Sequence, residues 1–577
     1  MNSSSFSRAV KFASRLSNAI AVRIKGAIRP LTPNEQAFIA ENQRVWGAAR
    51  APRSSVGYVF VHYELYPLAL LGNLHIASAI ADVMQAKIVL ISPSPLDRAA
   101  NQVLKSFPGM VLEYCDSPTF ILLRVLSYFS AYLALRKIST PEGLLAYECD
   151  GVPFGDVLYD TILARGCATI RQIQRRQLLT VMASFLFKRA VTKSILAKYK
   201  VVAGVSTHIV GVPGATFLRI LLKNQLPVYI RETTLKKYTS LDMMFECCAT
   251  PDKRYIDHMK RRPEVFSAHG ERALENRLGN KYKSEIDHLA YKSDKTTYAS
   301  RDDFGRDFGL DPKKKNVFVM LHAFNDYPHT YGPMVHQDFY HWFMHVLEVA
   351  LRNKDVNWIF KNHPYEKYYL TEVDVGSVFA TVADEHIKYM PADVNFNTSS
   401  LRFIGDAVIT CLGTAGLEYS GFGSPCILAA RCWYSGLGFT REPKNKAEFE
   451  RELMTIGSLP TLTKEQVVIA KAMAYFTFEA MNQLKFPDPF RTIATYDLVE
   501  AKTFTDNKMF EAILAYRAKS TAAEKKAYLD ELYEFIRDPH WGQFVDFSRH
   551  PELRGALIAD DLGATEEPPL SAVRSGS

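Results

Sequence analysis

A chain of 577 residues that is 47% hydrophobic and 12% aromatic has ample apolar surface for a core, and its length predicts two or three domains. The formal net charge of +9 is concentrated at one end, because the first 34 residues hold Arg8, Lys11, Arg15, Arg23, Lys25 and Arg29 and no acid. Taking those six bases away leaves the body at +3, so a nucleic-acid groove is not implied.

In chain order, residues 1–50 read as a basic amphipathic arm. Phe6, Val10, Ala13, Leu16, Ile20, Ile24 and Ile28 share one side of a helical wheel and the bases mostly take the other, which suits the anionic interface of a membrane. No continuous apolar run there has signal-peptide or transmembrane form. A transit peptide or an unstructured basic tail would have the same composition. Residues 51–250 alternate strand and helix. Strands are expected at 56–63, 87–92, 143–149, 200–206 and 227–231, with helices near 68–85, 96–106 and 214–223 and more before 198. The apolar stretch 119–136 contains Arg124 and ends in Arg136-Lys137, which reads as a buried helix rather than a membrane span.

Residues 251–315 are polar and poor in strand signal, and read as a helical excursion and linker. From 316 to 485 the βα alternation resumes, with strands at 316 and near 357, 387, 407 and 425 and a helix over 463–482 that returns to the first domain. Residues 486–577 read as a helical appendage with a disordered acidic tail. The fold class is therefore α/β, with two Rossmann-like domains facing a cleft and a helical C-terminal appendage. Eight cysteines (Cys115, Cys149, Cys167, Cys247, Cys248, Cys411, Cys426 and Cys432) show no C-x-x-C spacing. That pattern suits free thiols in a reducing, cytoplasmic compartment.

Three loops carry chemistry. Residues 407–430 read as strand, Gly413-Thr414-Ala415-Gly416 turn, short helix, Gly-Ser-Pro turn and strand. Such a turn offers backbone amides to a phosphate, Thr414 adds a hydroxyl, and Glu418 one turn on suits ribose hydroxyls. The competing reading is glycines kept for close packing. Lys361-Asn-His363-Pro-Tyr-Glu366 reads as a strand entering a turn at a sheet's carboxyl edge, where an imidazole can donate to a phosphate or merely cap the strand. His322, Asp326 and His329 occupy the loop after the strand at 316, which opens at the sheet's carboxyl edge, and either face a ligand there or cap a turn. A metal is the minority reading for these residues, and Glu148-Cys-Asp150 is a poor imitation of Asp-x-Asp. Asp150, Asp156 and Asp160 are candidate carboxylates for general-base or nucleophilic work, with His62 and Glu64 in reserve.

Lys361–Glu366, Gly413–Glu418 and Tyr434-Ser435-Gly-Leu-Gly-Phe-Thr440 in that order resemble the capsule and surface polysaccharide biosynthesis glycosyltransferases, over roughly residues 55–480 and most strongly over 355–442. The resemblance implies the GT-B architecture. It also implies a nucleotide-sugar substrate, with a CMP-linked donor as one option and sugar and nucleobase left open, and no required cofactor or metal. The acceptor it implies is a lipid-linked or growing polysaccharide at the cytoplasmic face of the inner membrane, and no nucleic acid. On this reading Lys361, His363, Glu366, Gly413, Thr414, Ala415, Gly416 and Glu418 hold the donor, and Tyr434 and Ser435 join the substrate loops. Gly155-Asp156-x-x-Tyr159-Asp160 resembles the family's acceptor-side segment. Two alternatives stay open: a CDP-polyol phosphotransferase of the same architecture, and a non-catalytic nucleotide- or polysaccharide-binding assembly protein.

Overall fold

The computed structural model describes residues 29–47, 57–64, 66–92, 98–107, 109–115, 117–232, 234–282, 289–382, 384–481, 507–547 and 549–558. The amphipathic segment Phe6–Ile28 and the acidic tail lie outside the described residues.

The first domain opens with helix α1 (Pro33–Gly47) and continues through β1 (Tyr58–Val61), α2 (Pro67–Val83), β2 (Lys87–Ser92), α3 (Arg98–Lys105), β3 (Met110–Tyr114) and α4 (Pro118–Leu135). A two-residue hairpin, β4 (Glu148–Cys149) and β5 (Val152–Pro153), leads into α5 (Gly155–Leu163) and α6 (Arg175–Lys198). Then come β6 (Val201–Ser206), α7 (Gly211–Lys223), β7 (Val228–Arg231) and β8 (Leu235–Tyr238). The sheet order is β3-β2-β1-β6-β7-β8, parallel except for β8. Strands such as Lys87-Ile-Val-Leu-Ile-Ser92 are β-branched and nearly continuous in apolar residues because helices cover both faces. Proline at the first turn of α2 and α4 supplies a preset φ where no amide hydrogen bond is lost.

The second domain begins earlier than the strand signal indicates. Helices α8 (Lys253–Arg261), α9 (Pro263–Leu278) and α10 (Arg301–Phe308) precede β9 (Lys315–Met320), α11 (Phe339–Arg352) and β10 (Val356–Lys361). The rest is β11 (Ile387–Met390), β12 (Ala407–Thr410), α12 (Ala415–Ser420), β13 (Cys426–Leu428), β14 (Thr440–Arg441), α13 (Lys446–Met454) and α14 (Lys464–Tyr475). Its sheet order, β11-β10-β9-β12-β13-β14, repeats the winding of the first and is parallel throughout. In both sheets the winding reverses beside the first strand, between β1 and β6 and between β9 and β12. Ligands of open α/β sheets bind at such crevices.

Helices α15 (Asn507–Ala518) and α16 (Ala522–Arg537) form the appendage, and pack on α1 and α2. Lys237 on the edge strand β8 donates through Nζ to the carbonyls of Phe535 (3.0 Å) and Asp538 (2.6 Å), closing the C-terminal end of α16. Burial pushes that ammonium down to about 8.

Several sequence expectations need correction. Pro33–Gly47, assigned to the arm, is part of the folded body, with Phe38 and Trp46 buried. The strand expected over 143–149 is a short helix, Pro141–Leu145, followed by the hairpin. β3 and β8 were unanticipated; β8 carries Lys236 and Lys237, whose charges mask a strand that is buried because both amines find partners. The stretch 251–315 holds helices, and they pack on the second domain: α9 lies along α14, and α14 rests on these helices and on α12. Finally, α4 is not buried: its window is 22% buried and most of its large side chains face outward.

Candidate functional site

The crevice of the second sheet is organised by His322, the second residue after β9. Its Nε2 lies 3.0 Å from Thr410 Oγ1 and accepts from the amides of Cys411 (3.3 Å) and Leu412 (3.4 Å). The ring stacks on Phe339 with centroids 4.4 Å apart. Burial, then the neighbouring His363, pushes it down to about 3, so the imidazole is neutral and holds β9 to the turn after β12. That is a positioning role.

The Gly413 turn is braced from behind. Tyr434, fully buried, donates to Gly413 O at 2.6 Å, and a Cβ at Gly416 would overlap the Tyr434 hydroxyl and crowd Cys426 Sγ. Gly416 is therefore a packing glycine, and Tyr434 a support rather than a substrate residue. Ser435 Oγ accepts from the Cys432 amide at 3.0 Å, a local turn. In front, the amides of Thr414 and Ala415 carry no hydrogen bond among the described residues. Helix α12 has only six residues, so these amides and not its dipole are what the turn offers.

Glu418 departs from expectation. It is 1% exposed, bonded on one oxygen by Arg277 Nε and on the other by the Tyr291 hydroxyl at 2.6 Å. Arg277 Nη2 also reaches Thr414 Oγ1 at 3.2 Å. The carboxylate thus faces protein and aims Arg277 at the turn, instead of presenting free oxygens to a ribose. Arg277 and Tyr291 lie in the polar stretch read as linker, and no local pattern marks them.

Two strands from this turn, across β9, β10 ends at Lys361, with His363 two residues on and close to His322. Lys361 is 3% exposed and forms no ion pair among the described residues. Burial, and the charge of Lys295 nearby, push it down to about 8. The His363 ring accepts from the Tyr365 amide at Nδ1 (3.2 Å), which fixes the proton on Nε2 and leaves that N–H as a donor. Burial and the Lys361 charge push His363 down to about 4. Glu366, partly buried, is raised by burial and by Asp374 and Asp393.

The three first-domain aspartates have separate fates. Asp150 sits at the hairpin tip with φ 57° and is held by Arg189 and Lys193, each 2.7 Å away. Asp156 makes a two-pronged pair with the buried Arg219, at 2.8 and 2.5 Å. Asp160 crosses to the second domain, accepting from the His329 amide at 3.0 Å and meeting His329 Nδ1 at 2.6 Å. All three have basic partners; Asp160 is buried and Asp156 largely so, whereas the Asp150 side chain stays 43% exposed.

Asp326 is different. Its side chain is solvent-accessible, yet protein crowds it, and burial together with the Asp160 charge pushes it up to about 6 while Tyr369 hydrogen-bonds it. Tyr369 belongs to the loop that carries His363, which brings Asp326 to the Lys361–His363 side of the crevice. At the crevice of the first sheet, His62 Nδ1 lies 3.3 Å from Glu64, whose Oε1 accepts from the Thr207 amide at 3.2 Å. Among the described residues His62 Nε2 has no hydrogen-bond partner, and the ring borders a cavity of about 140 Å³ lined by Phe60, Phe187, Lys188 and Phe217. Burial lowers both His62 and Lys188. Among the described residues no group of three or more His, Cys, Asp or Glu side chains has the arrangement of a metal site.

Residues 255–481 match the family model described as "Capsule polysaccharide biosynthesis protein", so the resemblance read from the motifs is borne out over a span that includes α8 and α9. No curated protein matches the chain in sequence. Among solved structures, the chain is similar to Thermosulfurimonas dismutans KpsC, a beta Kdo 2,4 transferase, at 14% identity over 47% of this chain and 79% of that one, with a TM-score of 0.28. A glycosyltransferase from Rickettsia africae is 9% identical over 80% and 99%, with a TM-score of 0.24. The Neisseria meningitidis UDP-GlcNAc 2-epimerase is 9% identical over 73% and 96%, also at 0.24.

Proposed function

We propose that the protein is a glycosyltransferase of capsule or surface polysaccharide assembly, moving a sugar from a nucleotide-activated donor to a hydroxyl of a lipid-linked or growing polysaccharide. One observation carries the reading: among the described residues Lys361 is a buried cation without an acidic partner, near the His363 imidazole, and its strand ends at the same sheet edge as the turn that offers the unbonded amides of Thr414 and Ala415. An uncompensated buried charge is costly unless an anion completes it.

In this mechanism the donor's phosphate lies between Lys361 Nζ, His363 Nε2–H and the amides of Thr414 and Ala415. The bond from the sugar's anomeric carbon to the phosphate oxygen breaks, and the growing negative charge meets preset donors. The acceptor hydroxyl bonds to the anomeric carbon and passes its proton to Asp326, whose value of about 6 suits a base at neutral pH. Asp150, Asp156 and Asp160 are spoken for by Arg189, Arg219 and His329, which is why Asp326 is preferred. His62 and Glu64 line the acceptor side. A CMP-linked donor, the cytoplasmic location and the peripheral attachment at the inner membrane belong to the same proposal; scattered free thiols and the basic arm support the last two.

Calorimetric titration with CMP, CDP, UDP, GDP and UMP tests the donor site, and analysis of the reaction product tests the chemistry. A glycosidic product with release of the nucleotide is expected. Release of CMP with a new phosphodiester would make the protein a polyol phosphotransferase. Binding without turnover on any acceptor would make it an assembly partner.

A further inference from the structure

We propose that helix α4 docks the first domain in the interfacial layer of an anionic lipid bilayer. The helix is 18 residues long, with a mean hydropathy of 1.4 in its best window, and buries only one narrow stripe, Phe120, Ser127, Ala131 and Leu135. The opposite side carries Ile121, Leu122, Val125, Leu126, Phe129 and Tyr132, with Val125 62%, Phe129 64% and Tyr132 60% exposed. At 100° per residue the exposed apolar arc covers about 160° of the circumference. Half of all the exposed large hydrophobic side chains among the described residues lie on this one helix. A contiguous patch of this kind marks an interaction surface.

Charge identifies the occupant. Phe120 shares a buried cluster with Val191 and Ile195, and Leu135 shares one with Leu178 and Met182, so α4 and α6 run antiparallel. The end of α4 therefore brings the exposed Arg136 and Lys137 beside the exposed Arg175 and Arg176. None of these four is in an ion pair among the described residues. Along α4 the sole charge is Arg124, whose guanidinium lies over the Phe187 ring at 4.7 Å. An apolar face rimmed by unpaired cations and bearing Tyr128, Phe129 and Tyr132 has the composition of a helix lying in a headgroup layer. It does not cross the bilayer, because its stripe is packed on α6 and the chain on both sides returns to the same domain.

The test is flotation of the full chain with vesicles of phosphatidylglycerol and phosphatidylethanolamine, and with phosphatidylcholine alone. Wild type is expected to float with the anionic vesicles. The variant Val125→Glu/Phe129→Glu/Tyr132→Glu should lose at least about ten-fold in binding, and Arg136→Glu/Lys137→Glu should lose the preference for anionic lipid. Phe129→Trp, which keeps the face apolar, should shift its emission to the blue when vesicles are added. Three results overturn the proposal. One is a wild type that stays in solution. Another is binding lost on deleting residues 1–28 but kept by the triple variant, which assigns the membrane to the arm. The last is a dimer abolished by the triple variant without vesicle binding, which assigns the face to a second copy.

Discussion

Asp160 on α5 and His329 on the loop after β9 form a buried pair that joins the two domains, with 2.6 Å between oxygen and ring nitrogen. Burial pushes Asp160 up; it opposes charge on His329, but the Asp160 carboxylate outweighs it and His329 is raised as well. The pair therefore keeps its proton to a higher pH than a free imidazole. Its stabilisation is fully present below about pH 6.5 and fades as pH rises through the higher folded value. Breaking it with Asp160→Asn should cost about 3–5 kcal/mol. Thermal melts from pH 6 to 9 check both points: wild type should lose stability toward alkaline pH, and the variant should start lower and lose less.

Lys361→Met separates binding from stability. The folded value of about 8 lies below that of a free lysine, so burying the charge penalises the empty protein below pH 8, and the penalty lifts toward pH 10. The variant should melt higher than wild type at pH 7, by up to about 3 kcal/mol of stability, while nucleotide binding drops below detection. A variant that binds nucleotide as wild type does removes Lys361 from the donor site.

Asp326→Asn should abolish transfer with little change in nucleotide affinity. In wild type the rate should climb with pH through about 6 as the carboxyl loses its proton. The raised value also means that the folded state favours the protonated form. The Asp326 contribution to stability is present below about pH 4 and lost through 6, so Asn should stabilise the fold above pH 6, by about 1 kcal/mol once solvent screening is allowed for. Rate and melting profiles measured on one preparation read both effects.

Glu418→Gln and Arg277→Ala probe the brace behind the turn. If Glu418 aims Arg277 at Thr414, both variants should weaken donor binding to a similar degree, and the double variant should add little. Additive losses would mean that each side chain meets the nucleotide by itself.

The α/β winding was legible because buried parallel strands such as Ile88–Ile91 and Val317–Val319 are almost wholly apolar and alternate with amphipathic helices. The phosphate loops were legible for a related reason, since Gly413 and His363 follow such strands directly. Long-range pairing was not. Nothing local says that Asp156 meets Arg219, that Asp160 meets His329, or that Glu418 turns to Arg277. Carboxylates that read as available were consumed by partners up to 169 residues away. Length and hydropathy gave α4 as a helix, but whether a helix is covered depends on what the rest of the chain places over it.

Lys237 has a consequence for how the protein is made. The carbonyls that receive its amine belong to Phe535 and Asp538, and Gln543 bridges to neighbouring Lys236. During synthesis β8 therefore emerges from the ribosome some 300 residues before the segment that covers it. Through that interval the nascent first domain carries an open strand edge and, at Lys237, an unsatisfied ammonium group, whereas Lys236 already has Glu246, Cys247 and Thr250; such a state is suited to chaperone capture and to premature self-pairing. Release of the finished chain is what lets the molecule seal itself.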